Sequence, residues 1–187
     1  MKRRIKKVIF DWSGVVKDVY ECHFWIVSRM FKALGMHDVT LEEMKQKYEE
    51  PYMNFWHKFL PDMTLEEEIK LYKENLLHPD CPQPKACDGI VELIKKLKKA
   101  GVKMAVLSAD HPESLFPEIK NFGLEGFFEE IAFNVHDKAE VIHDLMERNS
   151  FKPEETMFIG DTNNEILAGR SAGVKTIAVT WGLISEE

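Results

Sequence analysis

Three carboxylates, one hydroxyl and one amine stand where alternating strands and helices would gather them. Asp11 follows the apolar run Val8-Ile9-Phe10, Ser108 follows Ala105-Val106-Leu107, and Asp161 follows Met157-Phe158-Ile159-Gly160. Glu165 lies four residues beyond Asp161, one turn into a helix, and Lys138 opens the helix after a short strand. In an open α/β sheet, ligands bind outside the carboxyl ends of the strands. These five groups are therefore expected on one rim. Clustered carboxylates repel and need a cation, and oxygen ligands suit Mg²⁺, which joins one or two carboxylates to a substrate phosphate. A carboxylate can also attack phosphorus to give an aspartyl-phosphate. A hydroxyl and an ammonium would hold the phosphoryl oxygens while their charge redistributes.

The elements that must position these groups follow from periodicity. Val8–Phe10 reads as a buried strand ending in a turn at Gly14. From Tyr20 to about Leu77 the pattern is helical: Phe24, Val27, Met30, Phe31 and Leu34 recur at spacings of three and four. Thr40 with Glu43, and Thr64 with Glu67, carry the spacing of a capping box, and Pro51 and Pro61 mark breaks. This region is predicted to be a compact insert of about four helices, with its aromatic residues as core. His78 to Pro84 is proline-rich and aperiodic, a linker. Beyond it, helices are predicted over Ile90–Lys99, Pro112–Phe122, Lys138–Asn149 and Glu165–Ala172, and strands over Val102–Leu107, Ile131–Phe133, Met157–Ile159 and Thr176–Val179. Strands alternating with helices imply a parallel sheet covered on both faces. The expected core is residues 1–16 and 84–187, with residues 17–83 as the helical insert.

Composition narrows the function. The chain has 187 residues, 44% of them hydrophobic, and a formal net charge of −7. An acidic balance argues against a nucleic-acid partner, since phosphate backbones reward clustered Lys and Arg. The one dense basic run is Lys2-Arg3-Arg4 with Lys6-Lys7. No apolar stretch approaches the length that spans a bilayer, and charges interrupt any signal-peptide core. No membrane partner and a cytoplasmic location are expected. The three cysteines, Cys22, Cys81 and Cys87, do not suggest a disulfide framework, and Cys81 and Cys87 are expected to be reduced. Of the seven histidines, none has ligand-like spacing.

The ordered pattern resembles the haloacid dehalogenase superfamily across essentially the whole chain. Val8-Ile9-Phe10-Asp11-Trp12-Ser13-Gly14 resembles its first motif, with Asp11 as nucleophile. Ala105-Val106-Leu107-Ser108 is similar to the second, Lys138 to the third, and Phe158-Ile159-Gly160-Asp161-Thr162-Asn163-Asn164-Glu165 to the acidic fourth. Leu167-Ala168-Gly169 through Ala172-Gly173 continues in the manner of phosphoglycolate-phosphatase relatives. The resemblance implies a Rossmann-like three-layer α/β/α core with an all-helical cap of the C1 type. It implies catalytic roles for Asp11, Ser13, Ser108 and Lys138. It further implies Mg²⁺ held by Asp11, the backbone carbonyl of Ser13, Asp161 and Glu165. The expected activity is that of a phosphatase on a small phosphorylated metabolite. Relatives usually continue past Trp181-Gly182 with another strand or helix, so a trimmed sheet edge is expected.

The chain also departs from the pattern. Phosphatases of the family carry a second aspartate two residues after the nucleophile, which protonates the leaving group and activates water; here that residue is Ser13. General acid–base help is worth about 10²–10⁴ in rate, so a slow phosphatase is expected unless another group substitutes. Glu165 replaces the commoner aspartate, Val15 a usual threonine, and Lys138 lacks the following proline. Phosphonoacetaldehyde hydrolases resemble Asp11-Trp12-Ser13-Gly14 closely but need a cap lysine, and Glu50-Pro51-Tyr52-Met53-Asn54 contains none, while Lys47 and Lys58 flank it out of register. Carbon–phosphorus cleavage and a non-catalytic binding role are the alternative readings.

Overall fold

The computed structural model describes residues 4–49, 52–135 and 137–182. Lys2 and Arg3 of the basic run, Glu50-Pro51, His136 and the residues beyond Gly182 lie outside them. The chain divides into two compact units, one of residues up to Asp18 joined with Lys85–Gly182, the other of Val19–Pro84.

The first unit begins with strand β1, Lys7–Phe10, and a two-residue strand β2, Lys17–Asp18. The second unit holds helices α1 (Tyr20–Ala33), α2 (Leu41–Lys47), α3 (Met53–His57) and α4 (Leu65–Leu76). The chain then returns through β3 (Lys85–Ala86), α5 (Ile90–Lys99), β4 (Lys103–Leu107), α6 (Pro112–Asn121), β5 (Glu130–Ala132), α7 (Lys138–Arg148), β6 (Thr156–Gly160), α8 (Asn163–Ser171) and β7 (Lys175–Ala178).

Five strands form one parallel sheet in the order β5-β4-β1-β6-β7. β1 lies in the middle, with Phe10 opposite Val106 on one side and Ile159 on the other. Its continuous apolar run is what a strand covered on both faces requires. Alternation then sorts its side chains. Val8 and Phe10 join a core with Ile90 and Ile94 of α5 and Leu115 and Ile119 of α6. Ile9 joins the other core, with Ile142, Leu145 and Met146 of α7. The result is the three-layer α/β/α, Rossmann-like arrangement expected. The predicted strands and helices of this unit sit within a residue or two of their expected bounds, the uncertainty intrinsic to helix and strand ends.

The short antiparallel pair β2–β3, with Lys17 opposite Ala86, was not expected from sequence. It joins the chain where it leaves the first unit to where it re-enters. Two residues are too few for any period to register.

The helical unit has its own core, built on Ile26, Met30, Phe31, Met44, Phe55 and Trp56. Aromatic packing dominates it: the Phe31 ring lies 5.5 Å from Trp56 and 4.9 Å from Phe59, centroid to centroid. Thr64 forms a full capping box with Glu67, whereas Thr40 caps α2 in one direction only, because the Glu43 carboxylate pairs with His37 and Lys47 instead. Cys22 and Cys81 meet, with their sulfurs 3.5 Å apart. The thiols that face each other are thus not Cys81 and Cys87, which are the nearer pair in sequence. Among the described residues no helix is long and apolar enough to cross a membrane.

Gly169 lets α8 lie close on the sheet: a Cβ there would stand 3.1 Å from Phe158 Cδ1 and 2.6 Å from Thr176 Cγ2. Gly169→Val is expected to lower the free energy of unfolding by about 1–3 kcal/mol through overpacking. A urea titration checks this, and an unchanged midpoint would contradict the close approach.

Candidate active site

Three neighbouring strands end at the same rim, and their exits deliver the predicted groups. Asp11 leaves β1 with its N–H bonded to the Ile159 carbonyl at 2.9 Å, so the neighbouring strand sets its position. The chain next turns tightly: the N–H groups of Val15, Val16 and Lys17 all reach the Trp12 carbonyl. Gly14, inside this turn, adopts φ +81°, and a Cβ at that position would overlap the Asp161 carboxylate. Gly182 presses on Asp161 in the same way from the segment after β7. Asp161 therefore sits against two glycines from opposite ends of the chain.

Asp11, Asp161 and Glu165 are all buried, and each offers a carboxylate oxygen within 4.8 Å of the others. Lys138 Nζ donates to Asp11 Oδ1 at 2.8 Å and to Glu165 Oε1. An ammonium in the first turn of a helix opposes the helix dipole, so its place at the start of α7 is held by these two carboxylates. Burial alone would lower the Lys138 pKa, but the Asp11 and Glu165 charges outweigh it and hold the ammonium above its ordinary value. Burial pushes the Asp11 carboxyl well above its usual range, Lys138 pulls it back, and the Glu165 charge pushes it up again. Burial would also raise Glu165, but Lys138 and the backbone N–H of Asp161 hold it below the usual range.

The second Glu165 oxygen is engaged as well. Oε2 accepts from the N–H groups of Asp161 at 2.8 Å and Thr162 at 3.2 Å, and Thr162 Oγ1 accepts from Glu165 N at 3.3 Å. Glu165 is thus half of a capping box at the start of α8, where a carboxylate also suits the dipole. Sequence reading passed over this box, although Thr162-Asn163-Asn164-Glu165 has the spacing recognised at Thr64.

Ser108 is fully buried after β4, and its hydroxyl accepts from the N–H of Asp110 at 3.0 Å, keeping its own hydrogen for donation. Ser13 Oγ donates to the Asp110 carboxylate, 2.9 Å from each oxygen. Lys17 Nζ pairs with Asp110 at 2.5 Å and Glu118 at 3.3 Å, and Trp12 Nε1 donates to Glu118 at 2.7 Å. Burial would lower the Lys17 pKa, but Asp110 and Glu118 reverse that. Asp110, Lys17 and Glu118 were not singled out from sequence. Their partners lie 93 to 106 positions away, and no local pattern encodes such pairs.

Removing Lys138 would leave buried carboxylates uncompensated, which typically costs about 3–5 kcal/mol. Lys138→Met is expected to lose stability on that scale in urea, and millimolar divalent cation is expected to restore part of it. Equal stability of the two proteins without cation would show that the pair contributes nothing.

Comparison with known proteins identifies the family. The family described as haloacid dehalogenase-like hydrolase matches residues 8–179. The pyrophosphatase PpaX of Halalkalibacterium halodurans is 32% identical, over 98% of this chain and 87% of its own. That of Bacillus mycoides is 30% identical, over 96% of this chain and 86% of its own. Among solved structures, a haloacid dehalogenase-like family hydrolase from Streptococcus pneumoniae superposes with a TM-score of 0.81 at 22% identity, covering 97% of this chain and 88% of its own. A HAD-superfamily hydrolase of subfamily IA from Geobacter sulfurreducens gives 0.68 at 23% identity, covering 93% and 86%. Strand order, buried acidic rim and these matches agree, and the chain belongs to the haloacid dehalogenase-like hydrolase family.

Proposed function

We propose that the protein is a Mg²⁺-dependent phosphatase acting on a small phosphorylated substrate through an aspartyl-phosphate on Asp11, with residues 19–84 as the substrate-selecting cap. The observation that carries this reading is the buried Asp11 at the end of the central strand, 2.8 Å from Lys138 and grouped with Asp161 and Glu165. The relatives named pyrophosphatase make inorganic pyrophosphate the first substrate to assay.

The donor set fits a hard divalent cation. Three buried carboxyl groups bring oxygen donors within 4.8 Å of one another, with one ammonium beside them. Asp11 and Asp161 would hold the ion, with the Ser13 backbone carbonyl, which any residue there supplies. Glu165, engaged by α8 and Lys138, would support it through water. Bound Mg²⁺ supplies charge neutralisation of the phosphoryl oxygens. Asp11 makes the new bond to phosphorus as the bond to the leaving oxygen breaks. Lys138 and the Ser108 hydroxyl hold the phosphoryl oxygens. Water then attacks phosphorus and frees Asp11.

Carbon–phosphorus cleavage would need a Schiff-base lysine. Lys47 is paired with Glu43 at 2.9 Å, and Lys58 with Glu49 at 2.6 Å, and no observation favours that reading.

Phosphate release from pyrophosphate and from an aryl phosphate is expected to require Mg²⁺, to stop on chelation and to be abolished in Asp11→Asn. Release that persists in Asp11→Asn would sink the nucleophile assignment. Ser13→Asp is expected to raise kcat most on an alkyl phosphate, whose poor leaving oxygen gains a proton donor, and less on the aryl phosphate.

A further inference from the structure

We propose that Asp110, acting through the Ser13 hydroxyl, is the positioning carboxylate that activates the water which hydrolyses the aspartyl-phosphate; this deepens the phosphatase reading and rests on it. Ser13 occupies the position two residues after the nucleophile, within about 7 Å of it by chain length alone. A hydroxyl there is a poor base by itself, but it is not by itself. Its hydrogen is committed to Asp110, whose two oxygens both lie 2.9 Å from Ser13 Oγ. The lone pairs of that oxygen are left to accept a hydrogen from water.

Asp110 is in turn fixed from two further directions. Its Oδ2 receives Lys17 Nζ at 2.5 Å, its N–H donates to Ser108 Oγ at 3.0 Å, and Lys17 is anchored a second time by Glu118. Glu118 accepts from the buried Trp12 indole, the residue between Asp11 and Ser13. The chain Ser13–Asp110–Lys17–Glu118–Trp12 thus begins and ends on the nucleophile turn and holds one carboxylate against the side chain at position 13. The step balances. The water oxygen bonds to phosphorus as the bond from phosphorus to the Asp11 oxygen breaks. Asp11 departs as a carboxylate, the water proton passes to Ser13 Oγ, and the Ser13 proton passes to Asp110.

The test measures steady-state turnover of an aryl phosphate with Mg²⁺, with the acid-quenched phosphoenzyme counted at each time. The proteins are wild type, Asp110→Asn, Ser13→Ala, Ser13→Asp and the double variant Ser13→Asp with Asp110→Asn. In Asp110→Asn and in Ser13→Ala, turnover is expected to fall by about 10²–10⁴. The first product should appear in a burst and phosphoenzyme should accumulate, because only the water step slows. In the Ser13→Asp background, losing Asp110 is expected to cost less than about threefold, since the carboxylate at 13 replaces the relay. Ser13→Ala leaves both Lys17 ion pairs intact and decides the matter if Asp110→Asn does not fold. Turnover within about threefold of wild type in Ser13→Ala, or an equal loss from Asp110→Asn in both backgrounds, overturns the relay while leaving Asp11 as nucleophile. Wild-type turnover that is untouched by Asp11→Asn overturns both readings.

Discussion

Everything at the rim of this sheet follows from placing like charges together out of water. Asp11, Asp161 and Glu165 are buried within reach of one another, an arrangement that costs free energy unless it is compensated. The chain compensates locally and at a distance. Lys138 bridges Asp11 and Glu165, and the α8 N-terminus holds Glu165 a second time as a cap. What remains is a group of buried oxygen donors beside a strand end. Such a place is poor for stability and well suited to a cation and a phosphoryl group.

The second polar cluster obeys the same logic with the opposite residue. Lys17 stands between Asp110 and Glu118, and the Trp12 indole and Ser13 hydroxyl satisfy the outer oxygens. Among the described residues no buried side-chain nitrogen or oxygen lacks a partner, so neither cluster leaves a loose polar end. The two clusters share one turn, Asp11 to Lys17, and a movement of that turn would disturb both. This is why tight turn bonding to the Trp12 carbonyl matters more here than in an ordinary loop.

The sequence made the strand exits legible because each is an apolar run cut off by a polar residue. Asp11, Ser108 and Asp161 could be placed on one rim from that alone, and Lys138 from its place at a helix start. The helical unit was legible as a 3.6-residue period. Other features were not legible, for separable reasons. Asp110, Lys17 and Glu118 owe their roles to pairings across some hundred positions. The β2–β3 pair is too short for a period. The Cys22–Cys81 approach joins the first helix of its unit to the linker across 59 positions, which no local pattern spans. The Glu165 cap was legible in principle, being a Thr-x-x-Glu, and was masked by the acidic motif it shares.

Asp161 has room for its carboxylate because Gly14 and Gly182 lack side chains. The site is therefore shaped partly by absent atoms, which gives it an unusual mutational profile. Most residues of an acidic centre can be exchanged for a near relative at a graded loss. These two positions have no near relative: the smallest substitution, one methyl group, already collides with the carboxylate, and at Gly14 it also meets a left-handed backbone. For drift or for engineering, the route to altered chemistry thus runs through the polar positions, Ser13 first, and is closed at the glycines.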